Sequence, residues 1–468
     1  SYSPAGSVTY VTLQDEINAS HGTAPASIQL EEEITNGLVV PAYANVTLDL
    51  NGRKVTNADG AHAITNYGTL ILKDSSSANT GSVSSSGSAY ALLNNAGATA
   101  TIASGTYNSA DSRAVQNAGT LTVNGGSIEG THSVYNAGGT VTINGGTFNA
   151  SSVVLYNSSS TGTMTIKDGT FTGGTRSVQS VNGGLTVEGG TFTATGYGIQ
   201  TGGGSLSVKN ATIKVVGTSD IHGIYHGGGK VEIIDTEIYA ETQGETATAY
   251  TINIKANSQE TEKDITISGN TVITGKAPNA SNVQIAFYGS GRTLSISEGV
   301  QINGGRLVLG GSTAVTISGG TFTDMTIDES WDTSTMTITG GTFVSDNIRD
   351  WFDTGWLVDS DETIYAVYST DTENRYTVGT YDEDSADVVF VGGAIASVDG
   401  EPNSDSLASA IESATDGQTV KLLTSVNENI TVSGKSITLD LNGFDITSAV
   451  SGTAAVTVES GASLTIVG

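Results

Sequence analysis

No cysteine occurs among the 468 residues, so neither a disulfide framework nor a thiolate nucleophile or metal ligand is open to this chain. Lys and Arg number 18 against 47 Asp and Glu, and the resulting net charge of -29 repels nucleic acid and anionic lipid alike. Nucleic acid is therefore not an expected partner. No run of eighteen or more apolar residues is present, which leaves no segment able to insert directly into a membrane as a helix. Proline, at 5, is scarce, whereas the 61 glycines are about twice the usual share. They follow no strict triplet, which excludes collagen, and recurring Val, Ile and Leu triplets exclude a structureless low-complexity chain. What remains is a turn-rich, all-β protein.

A repeated phrase organises it. Residues 114–119 (Ala-Val-Gln-Asn-Ala-Gly) lead into Thr120-Leu-Thr-Val-Asn-Gly-Gly126 and then Ser127-Ile-Glu129. The phrase returns as Ser133-Val-Tyr-Asn136, Thr140-Val-Thr-Ile-Asn-Gly-Gly146 and Thr147-Phe-Asn149, about twenty residues on. Three short runs of period-two alternation, each broken by Gly or Asn, fit one coil of a right-handed, single-stranded parallel β-helix. About fourteen such coils at about 4.8 Å each predict a rod roughly 65–70 Å long.

Four segments follow. Residues 1–44 read as an N-terminal cap with a strand-like Val8–Thr12, a short helix at 13–19 started by Thr12, and a strand near 27–34. Residues 45–343 carry the coils, opening on Asn45-Val-Thr-Leu-Asp-Leu-Asn-Gly52. Residues 344–398 gather Trp351, Phe352, Trp356, Tyr365, Tyr368 and Tyr376 among acidic residues and read as a C-terminal cap or small β appendage. Those aromatics serve either to close the core or as a ligand platform. At 399–468 the chain restarts: Leu407–Ala414 has the pattern of a short helix, and Ser436-Ile-Thr-Leu-Asp-Leu-Asn-Gly-Phe444 nearly copies the opening coil. A second solenoid module, and a larger parent chain with tandem modules, are expected.

Within a coil the period of two puts Val134 and Asn136 on one face and Tyr135 on the other. Since Val134 belongs to the core, an inward row of amides is expected at Asn66, Asn95, Asn117, Asn136 and Asn157, continued by Ser180, Thr201 and His226, with a scaffolding role. The opposite face gives an outward row: Thr65, Asn94, Gln116, Tyr135, Tyr156, Gln179, Gln200, Tyr225 and Phe287. Spaced one coil apart, such amides and rings suit stacking along a sugar chain or a flat protein surface, and equally suit ordinary solvated strand positions. Gln116, Tyr135, Tyr156, Gln179, Gln200 and Tyr225 are the ligand-binding candidates. The Gly-Gly pairs 125–126, 145–146, 189–190 and 319–320 are expected at tight corners with positive φ. Phe148, Phe171, Phe192, Phe322 and Phe343 read as inward.

Enzymes on such scaffolds need clustered carboxylates, either a pair across a glycosidic bond or acidic ligands for Ca²⁺. Here Asp111, Arg113, Glu129, Asp168, Arg176 and Glu188 fall at turns of different coils. His222 and His226 are four apart in a strand, facing the same way but about 13 Å apart, which is no metal spacing. No catalytic residue, metal ligand or cofactor is assigned, and Ca²⁺ is supported by no motif.

The phrases Val46-Thr-Leu-Asp-Leu-Asn-Gly52 and Thr-Ile-x-Gly-Gly-Thr-Phe, with the restart at 436–446, resemble the large parallel β-helix surface proteins of gut Gram-positive bacteria, called adhesin-like or pectate-lyase-like. The resemblance covers essentially the whole chain and implies display on the cell wall through a C-terminal anchor outside this sequence. It also implies non-catalytic attachment to host or dietary glycan or to a host surface protein, or service as an extended stalk. A monomer is expected. A polysaccharide lyase or glycoside hydrolase working in a groove is the alternative, although no catalytic motif of true pectate lyases can be matched residue by residue.

Overall fold

The computed structural model describes residues 12–181, 184–255, 263–328, 334–346, 348, 354–361, 363–382, 385, 387–403 and 406–468. The chain is an all-β parallel β-solenoid of stacked coils, as the repeated phrase predicts. It divides into two compact units, residues 1–292 with 304–311, and residues 293–303 with 312–468.

In the first unit equivalent strands of successive coils pair in parallel, because every coil spells the same alternation and only one register keeps all its apolar residues inside. One inward column runs Ile64, Leu92, Val115, Val134, Leu155, Val178, Ile199, Ile224, Ile252 and Ile285. A second runs Leu70, Ala100, Leu121, Val141, Met164, Leu185, Leu206 and Val231. A third contains Ile128, Phe148, Phe171, Phe192 and Ile213, all fully buried. The three phenylalanine rings stack at 4.9 Å and 4.7 Å, so the inward reading of Phe148, Phe171 and Phe192 holds. Each such side chain contributes on the order of 1.5–3 kcal/mol by leaving water.

The start of the unit departs from expectation in one place. The helix forms over Leu13–Asn18, with the Thr12 hydroxyl accepting from the Asp15 N–H as its cap. The strand expected near 27–34 is only Ala26–Gln29, because the exposed Glu31, Glu32 and Glu33 carry the chain away from the core. The expected strand at 8–12 falls, but for Thr12, outside the described residues. At the corners only the second glycine of each pair takes positive φ: Gly126 (92°), Gly146 (115°), Gly190 (106°) and Gly320 (97°). A Cβ on Gly126 would sit 2.6 Å from the Gly105 carbonyl oxygen, so coil stacking as well as conformation requires glycine there.

The amide row is present with one correction. Asn66 lies opposite Asn94, not Asn95, and Asn94 is fully buried. Asn94 donates to the Asn117 side-chain oxygen at 2.7 Å, Asn117 to Asn136 at 2.9 Å, and Asn136 to Asn157 at 3.0 Å. Asn95 instead donates sideways to the Asn66 carbonyl at 3.1 Å and is half-buried. The outward position of that coil is accordingly Leu93 rather than Asn94. Ser180, Thr201 and His226 continue the inward row in register, after which it turns apolar with Ile254, Phe287 and Leu309. Phe287, expected to face outward, is therefore core.

The second unit contains coil-like strands at Thr313–Asp328 and Thr335–Val344, paired in parallel, with Phe322 stacked on Phe343 at 4.9 Å. Antiparallel strands follow at Tyr365–Ser369, Arg375–Thr380 and Val388–Val391, where Phe343 lies opposite Tyr376. Trp356 is half-buried, and Trp351 and Phe352 fall outside the described residues. A helix at Leu407–Ser413, capped by Ser406, packs Leu407, Ala410 and Ile411 against Val420, Leu422 and Leu439 in a core of its own. Parallel strands Thr419–Leu422, Ser436–Asp440 and Ser463–Val467 begin new coils. The copied phrase makes a copied turn. Asp49 accepts from the Asn51 N–H and Asp440 from the Asn442 N–H, at 3.0 and 2.8 Å, with Asn51 and Asn442 at φ 47° and 51°.

Candidate functional site

The six outward candidates stand in one register column: Gln116, Tyr135, Tyr156, Gln179, Gln200 and Tyr225, all half-buried, one per coil. Beyond Tyr225 the column closes, since Asn253 is 2% exposed and Ala286 is fully buried.

A second column lies beside the first, three residues earlier in each coil. It reads His62, Tyr90, Arg113, His132, Val153, Arg176, Tyr197, His222 and Tyr250, and only Val153 is neither aromatic, histidine nor arginine. Strict alternation would turn these side chains inward. Val153 and His222 are buried, at 3% and 7% exposed, and the other seven are half-buried because the strand bends between the columns: Ser133 with Val134, and Ser177 with Val178, are consecutive and all fully buried. Small residues at the bend make this possible, and a Cβ on Gly198 would meet the Gly223 carbonyl oxygen at 2.5 Å. For the same reason His222 and His226 do not share a face. His222 joins the outer column, while His226 follows Thr201 in the inward row and hydrogen-bonds its hydroxyl. The recurrence of Arg, His or Tyr three residues before every one of the six candidates but Tyr156 was the available signal, and period-two reading passes over it.

Rings and guanidinium groups hold each other in place across this face. His62 stacks on Tyr90 at 4.4 Å, Tyr197 on His222 at 4.6 Å, and His222 on Tyr250 at 4.7 Å. Tyr135 stands edge-on to Tyr156 at 5.1 Å, and Tyr225 edge-on to His222 at 5.4 Å. The Arg113 guanidinium lies 3.4 Å from the Tyr135 ring centre and donates to the Gln116 side chain. Arg176 lies 4.9 Å over Tyr197 and donates through Nε to the Gln200 side chain. Such edge-to-face and cation–π contacts fix amphipathic groups that would otherwise sample several rotamers. Burial pushes His222 down to about 4, with nearby Lys255 acting in the same direction and Asp220 against it. His132 is lowered by burial and then by Arg113.

Beside Arg176 and Tyr197 opens a groove of about 690 Å³, lined also by Thr175, Thr195, Ser219 and Asp220. Asp220 is the single carboxylate of that lining, and its Oδ1 accepts from the Thr248 N–H at 2.8 Å. Asp111, the acidic residue at the other end of the face, stands five coils from Asp220, a separation of roughly 24 Å at the usual inter-strand spacing. Among the described residues no three His, Asp or Glu side chains converge as a metal-binding group. The face offers planar rings, amides, hydroxyls and two guanidinium forks, an arrangement suited to holding an extended polar ligand.

No protein-family model, no curated protein and no solved structure matches this chain.

Proposed function

We propose that the protein is a cell-surface, adhesin-like β-solenoid that binds an extended glycan without transforming it. The supporting observation is the pair of adjoining columns, in which rings, amides and hydroxyls recur at every coil for most of the first unit. Stacking surfaces repeated at one coil spacing match a linear polymer better than a compact ligand, since each added coil adds another equivalent contact. The single carboxylate in the groove favours binding over two-carboxylate hydrolysis, which places its acids about 5–9.5 Å apart. Display outside the cell, on the wall, rests on the resemblance of the coil phrases to gut bacterial surface proteins. A glycan array with the purified protein tests the reading. Retention of at least one linear glycan is expected, weakened tenfold or more by Tyr135→Ala with Tyr156→Ala at unchanged far-UV circular dichroism. Silence across host and plant glycans, or turnover of the bound polymer, overturns it.

A further inference from the structure

We propose that this face selects an acidic polysaccharide, whose carboxylate or sulfate groups are received by Arg113 and Arg176. The inference rests on the glycan-binding reading and adds the charge of the ligand.

The chain has 18 basic against 47 acidic residues, and two of its arginines, Arg113 and Arg176, share this face. Among the described residues neither guanidinium lies within 4 Å of a carboxylate, which leaves its charge available to a ligand. Both arginines are built into place by the same device. One aromatic ring supports the guanidinium plane, Tyr135 for Arg113 and Tyr197 for Arg176, and one glutamine side chain accepts from it, Gln116 and Gln200 respectively. Arg176 also donates through Nη1 to the Thr175 hydroxyl at 3.4 Å, and each fork keeps further N–H donors that suit paired acceptance by a carboxylate or sulfate. Because the plane is already immobilised, little side-chain entropy remains to be lost on binding.

Register fixes the spacing. Arg113, His132, Val153 and Arg176 are consecutive positions of one column, so the two forks are three coils apart, about 14 Å at the usual strand separation. Between them the neighbouring column supplies Tyr135 and Tyr156, and Gln179 stands level with Arg176. A polymer lying along the coils meets a cation, a stretch of rings and amide, and a second cation. One anionic sugar at each end and neutral faces between satisfy all of them. The net charge of -29 opposes an acidic polymer at long range, so one that is retained is held by these local contacts.

The test is isothermal titration of the whole chain with a polyuronate, a sulfated galactan that carries no uronic acid, a neutral β-glucan and, as a non-sugar polyanion, polyglutamate, in wild type and in Arg113→Gln, Arg176→Gln and Arg176→Lys. Binding of one or both acidic polymers is expected, weakened about tenfold by each glutamine variant and partly restored by lysine, which keeps the charge but not the fork. Which polymer binds tells a carboxylate ligand from a sulfate one. Unaltered melting temperature in the glutamine variants separates lost binding from lost fold. Equal or better binding of the neutral glucan overturns this inference and leaves the glycan-binding reading standing. Tight binding of polyglutamate in place of any sugar polymer overturns the polysaccharide class. No binding of any of the three sugar polymers overturns both.

Discussion

Asn136→Ala removes one rung of the buried amide row, and its cost can be worked from the contacts. The Asn136 Nδ2 group donates to the Gly139 carbonyl at 2.7 Å and to the Asn157 Oδ1 at 3.0 Å, and its Oδ1 accepts from Asn117 at 2.9 Å. The Gly139 carbonyl keeps a second donor, the Thr163 N–H at 3.1 Å, and the Asn117 amide keeps the Gly119 carbonyl at 3.0 Å. Asn157 Oδ1 loses its donor inside a fully buried row. A buried group left without a partner costs about 1–3 kcal/mol, and the void left by the side chain adds to it, so a loss of about 2–4 kcal/mol is expected. Urea unfolding followed by circular dichroism, with amide exchange read at residues 115–160, measures it. Thr142→Ala, a half-buried position on the neighbouring strand, should fall within about 0.5 kcal/mol of wild type. In a double-mutant cycle Asn117→Ala and Asn136→Ala should couple by about 0.5–2 kcal/mol, since they share a bond. A cost below about 0.5 kcal/mol for Asn136→Ala, or strict additivity in the cycle, would refute the view that the row is a cooperative structural spine.

Two further outcomes follow from the same geometry. His222 is held neutral by burial, with its folded value pushed down to about 4 from 6.5, so the unfolded chain binds the proton more readily between those limits. Its contribution is fully present above pH 6.5 and is lost as pH falls toward 4; ring C–H shifts in NMR should titrate near the lower value, His222→Phe should flatten the slope, and titration near 6.5 would contradict the stacked arrangement. Gly139→Ala would place a Cβ 2.1 Å from the Gly119 carbonyl oxygen, a backbone atom that cannot move aside, so the coil must separate from its neighbour. A loss of about 1–3 kcal/mol in urea unfolding is expected there, and a neutral effect would show that adjacent coils are less tightly stacked than described.

The inward half of the fold was legible because burial punishes the wrong residue at every second position. Val134, Leu155 and Val178 can be assigned from alternation alone, and so can the Phe148, Phe171 and Phe192 stack. Alternation fails where the same residue type occupies both candidate positions. At Asn94-Asn95 either amide satisfies the pattern, and only the bonds from Asn66 and to Asn117 choose Asn94. It fails again at the bend, where two consecutive residues such as Ser133 and Val134 both face inward and reverse the phase of everything before them. That reversal hid Arg113, His132, Arg176, Tyr197 and His222, which alternation assigns to the core although their chemistry is foreign to it. A run of cations and rings at core-phased positions, recurring at a fixed offset from an outward row, is better read as evidence for a bend than as a set of buried oddities. By that criterion such a face of a solenoid becomes visible before its structure is known. It belongs to the register between coils, and no single coil, read alone, contains it.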